Sequence, residues 1–199
     1  MKNLLALMMI FPLLSATGLH AQAPVIGPPV SLTVGPFGGI SWPGDEILKH
    51  TDARGWNAGV KARIHSLLPL NIVGSVTYNR VSDRPAPEIP AFGIPFENGE
   101  ADVTWMIGGG LEYAPPFPVV SPYLGIDALL NRLSTTKEGS SSITRGGLGV
   151  GGGILVGIPL VGTVDGSVKY QVFNITGKEE GENSLSQLAL SIGLMFSVL

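Results

Sequence analysis

The ionisable residues of this chain recur at every second position of otherwise apolar stretches, and their chemistry has to be sought there. Lys61, Arg63 and His65 alternate with Val60, Ala62 and Ile64, and Glu112, Asp127, Asp165 and Lys169 hold the same phase in later stretches. Successive side chains of an extended chain point to opposite faces, so all seven share one face. Three acids (Glu112, Asp127, Asp165) then meet three bases (Lys61, Arg63, Lys169), a balance suited to an internal network of ion pairs, with His65 as a hydrogen-bonded member.

Other residue types invite chemistry less well. His50 stands in a polar stretch near Asp45, Glu46 and Asp52, where serines from a later loop could approach it. A general base needs a nucleophile held against its imidazole, and no motif supplies one. The glycine-rich run 146–153 is followed by neither Lys-Ser nor Lys-Thr, and no helix begins there, so it is no phosphate loop. The acids of 45–52 and 179–182 have the character of solvated loops rather than a metal site. With no cysteine there is no thiol chemistry. No catalytic residue, cofactor or metal site is expected.

The elements that position the shared face are strands. Alternation of apolar and small or polar residues predicts them over 30–38, 56–66, 71–81, 102–113, 122–133, 145–158, 163–175 and 185–199. The last is the clearest: Leu188, Leu190, Ile192, Leu194, Phe196 and Val198 alternate with Gln187, Ala189, Ser191, Gly193, Met195 and Ser197. Pro36 should sit at a bulge or where pairing is loose. Long polar connections (39–55, 82–101, 134–144, 178–183) alternate with short apolar ones (67–70, 115–120, 159–162). Consecutive strands joined in this way pair as an antiparallel meander, and closing the sheet removes its two edges. An eight-stranded up-and-down β-barrel is therefore the expected all-β fold.

Ahead of the strands, Lys2 precedes an apolar run over 4–14, and small and polar residues follow up to Ala21-Gln22-Ala23. This is the layout of a secretory signal peptide, so residues 1–23 are expected to be removed and 24–199 to form the barrel domain. The 199 residues suit one domain. Charge is sparse at 14%, glycine reaches 28 residues, and the formal net charge of −3 points away from nucleic acid. A mean hydropathy of +0.34 demands that apolar surface be buried or given to lipid.

An eight-stranded barrel can hold its apolar face inward around a ligand, as soluble lipocalins do, or outward against a bilayer. The second is favoured here, because the polar face is crowded with Gly, Ser and Thr and carries few Lys or Glu for a face in water. Trp56, Tyr78 and Trp105 adjoin the long loops on the apolar face, while Tyr113 and Phe196 lie toward the short turns, the arrangement of two interfacial girdles. Arg80 and Arg132 also fall on the apolar face, near the long loops. With Arg54, Arg84, Lys137 and Arg145 they would form a fringe able to meet lipopolysaccharide phosphates. In the second long loop, Ile89, Phe92, Ile94 and Phe96 are spaced by prolines, a stiffened apolar segment that would contact a surface partner or cap the barrel mouth.

The leader, the eight alternating strands and the apolar final strand resemble the small outer-membrane β-barrel proteins of Gram-negative bacteria, the OmpX and OmpA barrel group. Pro122-Tyr123-Leu124-Gly125 resembles a strand opening common in that group. The resemblance implies an outer-membrane location and outer-membrane lipid and lipopolysaccharide as surroundings. It also implies insertion by the barrel-assembly machinery through a C-terminal signal carried here by Leu190, Ile192, Leu194, Phe196 and Val198. Leu199 stands where an aromatic terminus is more usual in the group. The function implied is non-enzymatic, structural or through the loops at the cell surface, with a narrow passive pore and a lipid A-modifying enzyme as alternatives.

Overall fold

The computed structural model describes residues 30–44, 54–66, 68–82, 101–115, 117, 119–135, 142–178 and 184–198. Eight strands follow one another: β1 (Ser31–Pro43), β2 (Arg54–His65), β3 (Leu70–Ser82), β4 (Ala101–Tyr113), β5 (Val120–Thr135), β6 (Ile143–Ile158), β7 (Gly162–Thr176) and β8 (Ser186–Ser197). Each pairs antiparallel with the next, and β8 pairs with β1, so the sheet closes and no edge is left unpaired. Among the described residues no helix is long and apolar enough to cross a membrane, which says nothing of crossing by strands.

The strand order matches the sequence expectation, and the first strand does not match its expected end. β1 continues five residues beyond Gly38 to Pro43, taking Gly39, Ile40, Ser41 and Trp42 out of the expected loop. Glycines and a serine obscure the alternation there, but Ser41 faces inward and buried while Ile40 and Trp42 face out. Pro36 behaves as its missing N–H requires. It keeps register with Val60 on β2, whereas the ladder to β8 passes from Val34↔Phe196 to Phe37↔Gly193. One further irregularity, a register shift between Gly146 and Leu148, lies in the β6–β7 ladder beside the long-loop end.

Polarity is inverted relative to a water-soluble domain. Outward positions carry the large apolar side chains: Ile72, Val76, Ile107, Leu124, Ile126, Leu148, Val150 and Ile192 are all exposed, the last at 65%. Buried positions carry Lys61, Arg63, Asn79, Glu112, Asn131, Asp127, Asp165 and Gln187. Wherever such a wall stands in water it exposes far more contiguous apolar surface than monomeric soluble proteins carry, so its physical surroundings are hydrocarbon. Strands of 12 to 16 residues are long enough for a tilted crossing.

Glycine on the inner face makes room for the long polar side chains. A Cβ at Gly153 would stand 2.8 Å from the Tyr123 ring, one at Gly125 2.9 Å from Glu112 Cγ, and one at Gly151 2.8 Å from Lys169 Cγ. The alternate glycines of β6 are therefore the complement of bulky residues of β5 and β7, and Gly125 of β5 that of Glu112 on β4.

Candidate functional site: the polar interior and its outer rim

The interior is built in layers. Nearest the short turns, β2 contributes Lys61 and Arg63, β4 Glu112, β5 Tyr123 and β7 Asp165, and all five converge. Arg63 Nε donates to Glu112 Oε2 at 2.6 Å, and its Nη2 to Asp165 Oδ2 at 2.9 Å. Lys61 Nζ lies 2.8 Å from the same Asp165 oxygen and 2.9 Å from Glu112 Oε1, the latter a charge contact without hydrogen-bond alignment. The Tyr123 hydroxyl donates to Asp165 Oδ1 at 2.7 Å, while Lys61 Nζ and Arg63 Cζ stand 5.1 and 5.2 Å from its ring centre. Two cations thus meet two carboxylates in a site almost closed to solvent, Arg63 and Glu112 each being 1% exposed. Buried charges persist only when paired and hydrogen-bonded in this manner.

Above this cluster, Lys169 pairs with Asp127. Toward the long loops amides and hydroxyls predominate, with Arg145 beside Asn131 as a half-buried cation of the inner face: Ser41 Oγ donates to Asn79 Oδ1, Asn79 Nδ2 to Gln187 Oε1, and Gln187 Nε2 to Gln171 Oε1, at 2.7 to 2.9 Å. Asn57 accepts from Ser191 at 3.0 Å, and Asn131 Nδ2 donates to the Phe173 carbonyl at 2.8 Å. Between the layers a cavity of about 50 Å³ is lined by Phe37, Thr77, Met106, Asp127 and Lys169 among others, enough for a few waters. At the short-turn mouth a vestibule of about 400 Å³ opens, lined by Thr33, His65, Asn71, Phe117 and Leu155, with Arg63 at its inner wall. Among the described residues no three His, Asp or Glu side chains gather as metal ligands.

Of the seven charged or titratable residues read as interior, Lys61, Arg63, Glu112 and Asp165 come together, Asp127 and Lys169 form a separate pair, and His65 joins neither. Its Nε2 lies 3.2 Å from Thr33 Oγ1 in the vestibule. Tyr123 and the amides Asn79, Gln171 and Gln187 were absent from that set. The parity of the strands placed them on the same face, but parity gives no azimuth around the bore, so it could not say which would meet.

On the outer wall Trp56, Tyr78 and Trp105 form a continuous row, with ring centres 5.3 and 5.1 Å apart. Tyr113 and Phe196 are exposed toward the other end, and Leu190, Ile192, Leu194, Phe196 and Val198 all face outward on or just past β8. Arg80 lies opposite Trp56, and Arg132 opposite Trp105. Closer to the short turns than these two, outward positions among the described residues carry no Asp, Glu, Lys or Arg. His50, the apolar loop residues Ile89, Phe92, Ile94 and Phe96, Arg84, Lys137, Leu199 and the leader lie outside the described residues.

Fold and interior together define a class: a small up-and-down barrel of the transmembrane type, with a polar, ion-paired bore and an apolar outer wall. The solved structures similar to it are of that architecture. Neisserial surface protein A aligns over 84% of this chain and 96% of its own, at 21% identity and a TM-score of 0.58, and this likeness shows the fold. Ail, the attachment invasion locus protein of Yersinia pestis, matches at 16% identity over 84% and 97% of the two chains, with a TM-score of 0.44. The N-terminal β-barrel domain of Pseudomonas aeruginosa OprF matches at 12% identity over 83% and 97%, also at 0.44. No protein-family model and no curated protein sequence matches.

Proposed function

We propose that this chain is a non-enzymatic outer-membrane barrel of a Gram-negative bacterium, exported by a signal peptide over residues 1–23. Its role is structural or exercised through the long loops, including a surface partner met by Ile89, Phe92, Ile94 and Phe96. The observation that carries the reading is the inverted polarity: buried Lys61, Arg63, Glu112 and Asp165 inside a wall of exposed Ile, Leu and Val. Trp56, Tyr78 and Trp105 at one rim, with Tyr113 and Phe196 toward the other, suit two interfacial girdles. The outward row Leu190 to Val198 suits an assembly signal read by the barrel-assembly machinery, and the arginines of the upper rim suit lipopolysaccharide. A filled bore supports a closed barrel over a pore, since the five-residue cluster spans β2, β4, β5 and β7.

The test is membrane fractionation with gel mobility before and after boiling. The reading requires the protein in the outer-membrane fraction, migrating fast unboiled and slower once heated. A soluble periplasmic protein with no such shift overturns it.

A further inference from the structure

Among the described residues, Arg132 at the outer rim is a cation with no carboxylate partner. Arg132 projects from the outer wall of β5, and its hydrogen bonds run to a hydroxyl: Nε and Nη2 lie 3.2 and 3.1 Å from Ser142 Oγ. The interior cations Lys61, Arg63 and Lys169 each hold a carboxylate, whereas Arg132 has none among the described residues. It stands in a groove of about 590 Å³ on the outer face of β4, β5 and β6, lined by Trp105, Ile107, Leu130, Ser134, Ser142 and Thr144.

The groove is graded along the strand direction. Strand pairing sets Val103 beside Ser134, then Trp105, Arg132 and Thr144 in one row, then Ile107, Leu130 and Gly146 in the next. The Ser134 hydroxyl therefore lies toward the long loops, the guanidinium, an indole and the Thr144 hydroxyl in the middle, and branched apolar chains toward the membrane centre. At Gly146 the space a side chain would take is filled by the Thr176 side chain. This is the polarity sequence of an anionic amphiphile lying along the wall. An arginine on the lipid face is costly at depth and tolerable at the headgroup level, where a phosphate can accept its free N–H groups.

We propose that this groove holds one molecule of lipid A, a phosphate oxygen accepting from Arg132 while Ser134, Ser142 and Thr144 meet the sugar and an acyl chain runs over Leu130 and Ile107. The charge complementarity of Arg132 argues for an anionic lipid. The hydroxyls of Ser134, Ser142 and Thr144 around it argue for a glycolipid over a glycerophospholipid. The inference rests on the outer-membrane reading, with the long loops on the side where lipid A resides.

The experiment is native mass spectrometry of the detergent-refolded full-length mature protein, with boiled and unboiled gel mobility run on each sample. Lipid A, dephosphorylated lipid A, phosphatidylglycerol and inorganic phosphate are the probes. The expected result is one retained lipid A, weakened about tenfold or more by Arg132→Gln and by dephosphorylation, and unchanged by Lys178→Gln, a cation at the long-loop end of β7 outside the groove. Equal retention by Arg132→Gln overturns the site. Equal retention of phosphatidylglycerol, or displacement of lipid A by inorganic phosphate, overturns lipid A as the occupant. A second variant, Leu130→Ser, should also lower retention, since it removes the apolar floor and leaves the charge. Loss of the heat-dependent mobility shift in the wild-type protein would count against the membrane reading itself, whereas a normal shift with no lipid A retained would sink the groove alone.

Discussion

Arg63 and Asp165 meet across the bore: 102 residues apart in the chain and on strands that do not pair, they place Nη2 and Oδ2 2.9 Å from one another. The contact therefore ties opposite walls together, which backbone ladders between neighbours cannot do. Lys61 shares that Asp165 oxygen, and Glu112 holds both cations from the third side.

Removing one member of this cluster leaves a buried charge without compensation. Glu112→Ala is expected to destabilise the folded barrel by about 3 to 5 kcal/mol, because Arg63 loses its shortest partner and Lys61 one of two. Asp127→Ala should cost less, since Lys169 is 19% exposed and can rehydrate. Urea unfolding of the two variants in lipid vesicles compares them. Equal losses would deny the cluster its special place.

The strand order, the closed barrel and the inner face of each strand were legible because a period of two leaves a strong mark over a dozen residues. Two things were not. The end of β1 was hidden because Gly38, Gly39 and Ser41 carry little hydrophobic contrast, and Phe37, an apolar residue, points into the bore and breaks the expected phase. The partition of the interior charges into a cluster and a pair was hidden because it depends on stagger between strands. Asp165 pairs along its ladders with Leu155 and Gly193, neither of which is charged, and its ionic partners lie across the lumen.

The bore is filled at the level of Tyr123, so the wild-type protein in planar bilayers is expected to show no stable conductance steps. Enlarging the lumen there with Tyr123→Ala and Arg63→Ala together should join the vestibule to the central cavity and give discrete steps. Single-channel recording at matched protein density checks this. Steps of equal size in both proteins would mean that the cluster does not close the passage.

Ile192 faces outward in the middle of β8, opposite Gly38 on one side and Gly166 on the other. Ile192→Arg is expected to cost about 2 to 4 kcal/mol if this level lies near the bilayer midplane. Ser191→Arg changes the adjacent inward residue and tests the bore instead, where overpacking rather than lipid sets the penalty. Folding efficiency into vesicles of increasing hydrocarbon thickness distinguishes them. The Ile192 variant should worsen with thickness, and indifference to the bilayer would remove lipid from that wall.

The turn between β6 and β7 holds its strain in one residue. Val161 N–H donates to the Ile158 carbonyl at 3.1 Å, closing a four-residue turn with Pro159 and Leu160 at its centre. Pro159 suits the first central position, but the second takes a positive φ, and Leu160 sits there at 66° with its side chain wholly exposed. A Cβ in the left-handed region costs about 1 to 2 kcal/mol, and an exposed leucine has no packing to offset it. Leu160→Gly should relieve part of that strain, less what glycine adds in unfolded-state entropy, for a net gain of about 0.5 to 1 kcal/mol. Leu160→Asn, which also tolerates this conformation, should gain in the same direction, whereas Leu160→Val should lose because branching at Cβ worsens the clash. Denaturant midpoints of the three variants in one detergent order them. A glycine variant no more stable than the wild type would show that the leucine side chain is held by a contact stronger than the strain, such as the membrane surface at that end.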